Sequence, residues 1–205
     1  MNIIKSIILS LILTIMTGEL ISQTEKKVTD AVGLSIGTTA PLFSAIDADS
    51  VKFSLNDAIK EGPVVLIFYR GFWCPVCNAH LGSIQDSLKL IEATGANVIA
   101  ISPEQPEYLD KMAEKTGSKF TLLYDEGYKI AEAYDVDFNP SKMQLFTYNV
   151  ILGGKLKDTH SDESQRLPIP ATYIVNQQGK IIWRQFDHDY KKRSSVKDIL
   201  YQLNF

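Results

Sequence analysis

The chain has 205 residues, of which 45% are hydrophobic and 22% charged, and its formal net charge is -3. These values are typical of a globular protein of one domain with a sizeable core. The weakly acidic balance gives no electrostatic reason to expect a nucleic-acid partner. The one cationic cluster is "KKR" at 191–193, and three charges near a C-terminal helix are typical of a solvated face.

The first 23 residues have the three-part form of a secretory signal. One lysine precedes an apolar stretch at 6–16, and the polar residues "TGELISQ" follow. Because eleven apolar residues are too few to span a bilayer, we expect removal of residues 1–23 and export, to the periplasm, of a protein with no stable membrane association. The alternative is an uncleaved membrane anchor.

Residues 24–35 are polar and mixed, which indicates a flexible lead-in to a domain over 36–205. In "SVKFSLNDAIKEG" (50–62) we expect a short strand and a short helix, and "VVLIFY" (64–69) is continuously apolar, as in a strand buried on both faces. After it, apolar residues recur at helical steps, which predicts one helix; they are Cys77, Leu81, Ile84, Leu88 and Ile91.

The second half continues the alternation of strands and helices. "NVIAIS" (97–102) and "KFTLLY" (119–124) predict strands, and 106–115 and "YKIAEAY" (128–134) predict helices. "PATYIV" and "KIIWRQF" flank the polar turn "NQQG", which indicates a hairpin, and "SSVKDILYQL" (194–203) predicts a closing helix. The segment 137–167 fits none of these patterns, so we interpret it as an insertion that covers one end of an α/β sheet.

Both cysteines lie in "FWCPVC", between the buried strand and the helix. A disulfide between Cys74 and Cys77 closes almost no loop and would stabilise the fold little. Pro75 suits the first helical turn, which places Cys74 near the helix N-cap, where unpaired amides and the helix dipole lower a thiol pKa. Cys77 shares the apolar stripe and should face inward. The geometry predicts an exposed nucleophile at Cys74 and a sheltered resolving thiol at Cys77.

Two other interpretations of the thiols are open. A structural metal site would need four ligands, and Cys74, Cys77 and His80 supply three at a spacing that turns His80 away from Cys74. The second alternative is a pair of inert, buried cysteines. We expect neither a metal nor a cofactor.

"WCPVC" resembles the thioredoxin active-site motif, and "FYRGFWCPVC" (68–77) resembles the peroxiredoxin signature. With "LPIPATYIVNQQGKI" (167–181), residues 36–203 are similar to the peroxiredoxin-like proteins of the alkyl hydroperoxide reductase and thiol-specific antioxidant (AhpC/TSA) superfamily. The resemblance implies an α/β, thioredoxin-like fold: a mixed central sheet flanked by helices, with a C-terminal β-hairpin and helix. It also implies a cis-proline opposite the cysteines, which Pro170 fits, with a trans proline as the alternative.

The resemblance implies residue roles that differ from those of the helix geometry. Fitted to the peroxiredoxin signature, Cys77 is the thiol that attacks peroxide, Cys74 stands at the position of a threonine, and Arg70 at that of a proline. Pro170 occupies the place of the arginine that polarises the peroxide. Arg70, Arg166 or Arg184 could substitute for that arginine. Both assignments of roles end in a Cys74–Cys77 disulfide. We expect four further residues to shape the site: Trp73, Pro75, Pro170 and Arg70.

The expected function is that of a thiol-based antioxidant oxidoreductase. The specific expectation is a peroxiredoxin-like peroxidase, which reduces peroxides with electrons from a thioredoxin-type donor. The first alternative is a disulfide reductase of exported proteins, whose substrate would be a protein disulfide. The second is a copper-delivery protein like the Sco group, which spaces its two cysteines by three residues and adds a distant histidine.

Overall fold

Nine strands and eight α-helices occur in the computed structural model, which describes residues 25–204. The strands are β1 (Ser44–Ile46), β2 (Lys52–Ser54), β3 (Val64–Phe68), β4 (Asn97–Ser102), β5 (Thr121–Tyr124), β6 (Asp137–Phe138), β7 (Leu167–Pro168), β8 (Ala171–Val175) and β9 (Ile181–Phe186). The helices are α1 (Leu55–Glu61), α2 (Pro75–Asp86), α3 (Leu88–Glu92), α4 (Pro106–Thr116), α5 (Lys129–Ala133), α6 (Lys142–Phe146), α7 (Leu156–Thr159) and α8 (Val196–Leu203).

Seven of the strands form one mixed sheet in the order β2-β1-β5-β4-β3-β8-β9. The central strands β3, β4 and β5 are parallel, and β8 and β9 add an antiparallel hairpin beside β3. All five residues of β3 are buried, as a strand covered on both faces requires. The α/β, thioredoxin-like fold class predicted from the sequence is confirmed.

The helix predicted after the cysteines is interrupted. Its apolar stripe is buried throughout, but α2 ends at Asp86, and Ser87 leaves helical geometry with φ -113° and ψ 9° before α3 begins. The stripe therefore covers one face of the sheet with two short helices. Strand β1 has only three residues, too few to give a detectable alternation in the sequence.

The flexible lead-in expected at 24–35 is wrong for the described residues 25–35. Lys26 Nζ lies 2.6 Å from Asp135 and 2.7 Å from Asp137, and Ala31 is fully buried. Arg184 Nη1 donates to three successive backbone carbonyls, those of Val32, Gly33 and Leu34. These contacts over more than 100 residues of separation make the segment part of the folded domain.

The insertion at 137–167 is closed at its base by a two-stranded sheet. β6 pairs antiparallel with β7, so the ends of the segment meet. Between them lie α6, a π-helix at Thr147–Ile151, and α7. The inward face of this segment covers the loop that carries the cysteines.

No helix within residues 25–204 is long and apolar enough to cross a membrane. The predicted secretory signal at 1–23 lies outside the described residues.

Candidate active site

The two cysteines lie where the sequence predicts, at the junction of β3 and α2. Cys74 is the N-cap of α2, with extended backbone at φ -91° and ψ 106°, and Pro75 is the first helical residue. The Cys74 Sγ accepts the backbone N–H of Cys77 at 3.3 Å. The Cys74 sulfur therefore caps the helix in place of the usual side-chain oxygen and satisfies one of the free amides of the first turn.

An arginine faces each sulfur. Arg70 Nη2 donates to the Cys74 Sγ at 3.1 Å, and Arg193 Nη2 lies 3.6 Å from the Cys77 Sγ. Arg193 belongs to the basic run at 191–193, so the interpretation of that whole run as a solvated face is wrong for its last residue. Arg193 and Cys77 are 116 residues apart in the chain, so no local sequence pattern could predict their contact.

Arg70 is held among aromatic rings. Its guanidinium carbon lies 4.0 Å from the ring centre of Tyr190, 4.9 Å from that of Tyr148 and 5.2 Å from that of Trp73. The residue is 2% exposed, and no carboxylate within residues 25–204 forms an ion pair with it. A buried cation needs a negative partner. The sulfur pair is the group positioned to supply one.

The other two candidate arginines lie elsewhere. Arg166 pairs with Glu132 and Asp137 at the base of the insertion. Arg184 holds the carbonyls of the N-terminal segment. Of the three candidates named from the sequence, the structure brings only Arg70 to the cysteines.

The pKa values of the two thiols move in opposite directions. For Cys77, burial opposes ionisation, but the hydrogen bond with Cys74 and the charges of Arg193 and Arg70 outweigh it and hold the pKa well below the ordinary thiol value. For Cys74, the same hydrogen bond and then burial raise the pKa, despite the contact with Arg70. The two ionisations are coupled through this hydrogen bond, so the negative charge belongs to the sulfur pair, which Arg70 faces at Cys74 and Arg193 faces at Cys77. The directions favour Cys77 as the more acidic thiol, as the peroxiredoxin resemblance implies, whereas the helix position favours Cys74.

Cys74 is also not exposed, contrary to the sequence-based expectation. Both sulfur-bearing residues are 0% exposed and both are free thiols. Trp73 and Tyr148 of the insertion belong to the same buried cluster as the two cysteines, and their ring centres lie 5.2 Å apart; we call this pair the aromatic cover. Because both cysteines are fully buried, a substrate can reach the sulfurs only when surrounding side chains move.

Pro170 borders the site, although its peptide bond is trans. The described residues contain no cis peptide bond, so the expected cis-proline is wrong. The chain enters β8 directly from β7, and Ile169 N donates to Val136 O at 2.6 Å, so the backbone needs no turn at Pro170. Together with Arg70, Tyr148 and Tyr190, Pro170 lines a cavity of about 60 Å³.

His80 makes no contact with a sulfur. Its Nε2 lies 3.0 Å from Ser194 Oγ, and burial together with the nearby Arg193 lowers the His80 pKa to about 4. No group of three histidine, cysteine or acidic side chains within residues 25–204 is arranged to hold a metal. His80 is best explained as a neutral, buried hydrogen-bonding residue.

We expect Tyr148→Ala to make the sulfurs easier to reach. An aromatic pair contributes about 0.5–1.5 kcal/mol, so its loss should raise the open population roughly 2- to 10-fold. The measurement is the rate at which the reduced protein reacts with a bulky aromatic disulfide reagent. Val150→Ala, on the exposed face of the same π-helix, is the matched control; equal rates in both variants would contradict the role of Tyr148 as a cover.

Comparisons with known proteins identify the family of the chain. Residues 36–184 match the model of the AhpC/TSA family. The chain is 35% identical over 103 residues to peroxiredoxin Bcp of Escherichia coli K12, an alignment that spans 50% of this chain and 65% of that protein.

Two solved structures share the fold. One is peroxidoxin BcpB of Mycobacterium tuberculosis, with a TM-score of 0.65, 19% identity, and coverage of 83% of this chain and 97% of that chain. The other is peroxiredoxin Q of Xanthomonas campestris, with a TM-score of 0.60, 16% identity, and coverage of 79% and 89%. From the family match over most of its length, the chain belongs to the AhpC/TSA family.

Proposed function

We propose that this protein is a thiol peroxidase in which Cys77 attacks the peroxide and Cys74 resolves the product. The observation that carries the proposal is the charge arrangement: each of two neighbouring sulfurs faces an arginine, Arg70 at Cys74 and Arg193 at Cys77, and the pKa of Cys77 is held below the ordinary thiol value. A thiolate is the reactive form of cysteine, and a neighbouring protonated thiol is the group needed for the second step.

The first half of the cycle oxidises Cys77. Its thiolate forms an S–O bond to one peroxide oxygen, the O–O bond breaks, and the leaving oxygen takes a proton to become an alcohol or water. Cys77 is then a sulfenic acid. In this proposal Arg70 and Arg193, which contact the two sulfurs, stabilise negative charge on the attacking and leaving atoms, the role of the arginine that Pro170 replaces in the family pattern.

The second half forms and breaks a disulfide. The Cys74 sulfur attacks the Cys77 sulfenic acid, the S–O bond breaks, and its hydroxide leaves as water with the Cys74 proton. A thioredoxin-type dithiol then reduces the Cys74–Cys77 disulfide by exchange, and that donor is oxidised. The hydrogen bond from the Cys77 backbone N–H to the Cys74 Sγ, at 3.3 Å, keeps the two residues close together in the reduced state.

The alternative substrate is a protein disulfide. The CxxC spacing supports this alternative, and the complete burial of both cysteines weighs against it. A small peroxide needs less opening of the cover than a polypeptide segment does.

We propose in addition that the protein is exported, on the basis of the signal-like residues 1–23 alone. The intact mass of the protein recovered from its host checks this, because retention of residues 1–23 would contradict it.

The test of the peroxidase proposal is consumption of a reductant. Purified protein with a thioredoxin and its reductase should oxidise the reductant when hydrogen peroxide or an organic hydroperoxide is added, with one donor disulfide formed per peroxide. Rapid reduction of insulin disulfides without peroxide-dependent turnover would instead favour the disulfide reductase.

A further inference from the structure

Three buried polar side chains that the peroxidase cycle does not use are joined by hydrogen bonds. The Nε2 of His80, on α2, lies 3.0 Å from the Ser194 Oγ, and that oxygen lies 2.8 Å from the Thr172 Oγ1 of β8. All three residues are buried. Because a buried polar group is unfavourable unless it is hydrogen-bonded, each member needs its neighbour to stay in place. We call these three residues the hydroxyl–histidine chain.

Ser194 ties a loop to the body of the domain. The loop at 187–195 joins β9 to α8, and Ser194 is its only buried residue. Its hydroxyl bonds to a helix on one side and to the central sheet on the other. The backbone of the loop is therefore fixed beside α2 at this residue.

The residue before Ser194 is Arg193, whose Nη2 lies 3.6 Å from the Cys77 Sγ. Within residues 25–204 Arg193 forms no ion pair with a carboxylate, and its Nε is buried without a hydrogen-bond partner. No second anion holds the guanidinium in place. Its distance from the sulfur therefore depends on where the loop backbone is held.

The loop meets α2 at two points one helical turn apart. Arg193 contacts Cys77, and the adjacent Ser194 contacts His80, three residues further along the helix. Residues three apart lie on the same face of a helix, so neighbouring loop residues can contact both. The bond between Ser194 and His80 thus sets the position of the loop along the helix, and with it the position of Arg193.

We propose that His80 and Thr172 are positioning residues that act through Ser194 to hold the Arg193 guanidinium against the Cys77 sulfur and so stabilise its thiolate. An opposite charge within about 4–6 Å favours the charged form of a thiol, and the effect falls as the distance grows. None of the three residues of the chain touches the peroxide. The inference rests on the role of Cys77 in the proposed function.

The other titratable groups that interact with Cys77 come from the segment after β3, the start of α2 and the segment after β4. They are Tyr69, Arg70, Cys74 and Glu104. Within the described part of the chain, none of these four forms a hydrogen bond with the Ser194 hydroxyl. Loss of the hydroxyl–histidine chain should therefore change the surroundings of Cys77 through Arg193.

The test is a titration of Cys77 without peroxide. In Cys74→Ser, Cys77 is the only thiol, and the ultraviolet absorbance of its thiolate gives its pKa. Arg193→Met in this protein should raise the Cys77 pKa by roughly 1–3 units. Ser194→Ala should raise it by about one unit, a tenfold rise in proton affinity, and should add nothing further when Arg193 is already methionine. An unchanged pKa in Ser194→Ala, or the same shift with and without Arg193, overturns the proposal.

Conservative variants separate positioning from folding. His80→Gln, whose terminal amide can replace the Nε2, should keep the Cys77 pKa, whereas His80→Leu and Thr172→Val should raise it. Ser118→Ala removes a hydroxyl that is 2.6 Å from Thr116 Oγ1, away from the cysteines, and is the matched control. A pKa that rises equally in His80→Gln and His80→Leu, or in Ser118→Ala, would show a general structural effect and overturn the inference.

Failure of the peroxidase proposal would appear differently. The thiolate titrations would follow the expected pattern, but the wild-type protein would show no peroxide-dependent turnover.

Discussion

Cys77→Ser is expected to abolish the reaction with peroxide, with a loss of at least about 10³-fold in the rate of the first oxidation step, as for other removed nucleophiles. The reason is the surroundings of Cys77: Arg193 lies 3.6 Å from its sulfur, and the hydrogen bond with Cys74 and the charges of Arg193 and Arg70 hold its pKa well below the ordinary thiol value. The variant loses the hydrogen bond that raises the Cys74 pKa most, but burial still opposes ionisation of the Cys74 thiol. Stopped-flow oxidation of the reduced protein by hydrogen peroxide measures the step.

Cys74→Ser is the matched control for that prediction. It should keep a rapid first step, give one sulfenic acid per chain, detectable with a dimedone-type trap, and fail to turn over with a thioredoxin-type donor. The lowered pKa of Cys77 also predicts that wild-type oxidation persists below neutral pH, since the thiolate is lost only as pH falls through that pKa. Rapid oxidation of Cys77→Ser, with a slow Cys74→Ser, would return the nucleophile to Cys74.

Arg70→Met is the second change with a large expected effect. Methionine fills part of the space among Tyr148, Tyr190 and Trp73 but removes the charge. Loss of a close opposite charge raises a thiol pKa by roughly 1–3 units, so the acid limb of the peroxide oxidation rate should move up by roughly 1–3 pH units. The measurement is the pH profile of the oxidation rate, whose acid limb should move to higher pH.

Lys192→Met is the control for Arg70→Met. Lys192 neighbours Arg193 in sequence, but it is exposed and paired with Asp187. The pH profile of the oxidation rate of Lys192→Met should therefore match that of the wild type. A structural loss alone would lower the rate at every pH without moving the limb. If the acid limb of the pH–rate profile does not move in Arg70→Met, Arg70 does not stabilise the thiolate.

The sequence alone predicts the secondary-structure elements whose signals come from a few neighbouring residues. The apolar run at 64–69 predicts the buried strand, the Cys74-Pro75 step predicts the start of α2, and the polar turn before Lys180 predicts the hairpin. Each depends on hydrophobicity or backbone preference over a few residues. The resemblance to the AhpC/TSA family added the fold class, which the sheet order confirms.

The site itself depends on contacts made through space. Arg193 reaches Cys77, Tyr148 covers Trp73, and Glu104 lies under the cysteine loop, from segments 32 to 116 residues away from those they contact. The sequence placed Cys74 at a helix start and predicted an acidic thiol there. That inference used the helix alone, whereas a pKa depends on every nearby charge and on burial.

By itself, then, the sequence determined a strand–loop–helix unit that holds two thiols one helical turn apart, because spacing and local backbone preference suffice for that. Only the tertiary structure decided which arginines face the two sulfurs and how both thiols are hidden from solvent. Those properties follow from electrostatic and packing contacts between residues that are distant in sequence.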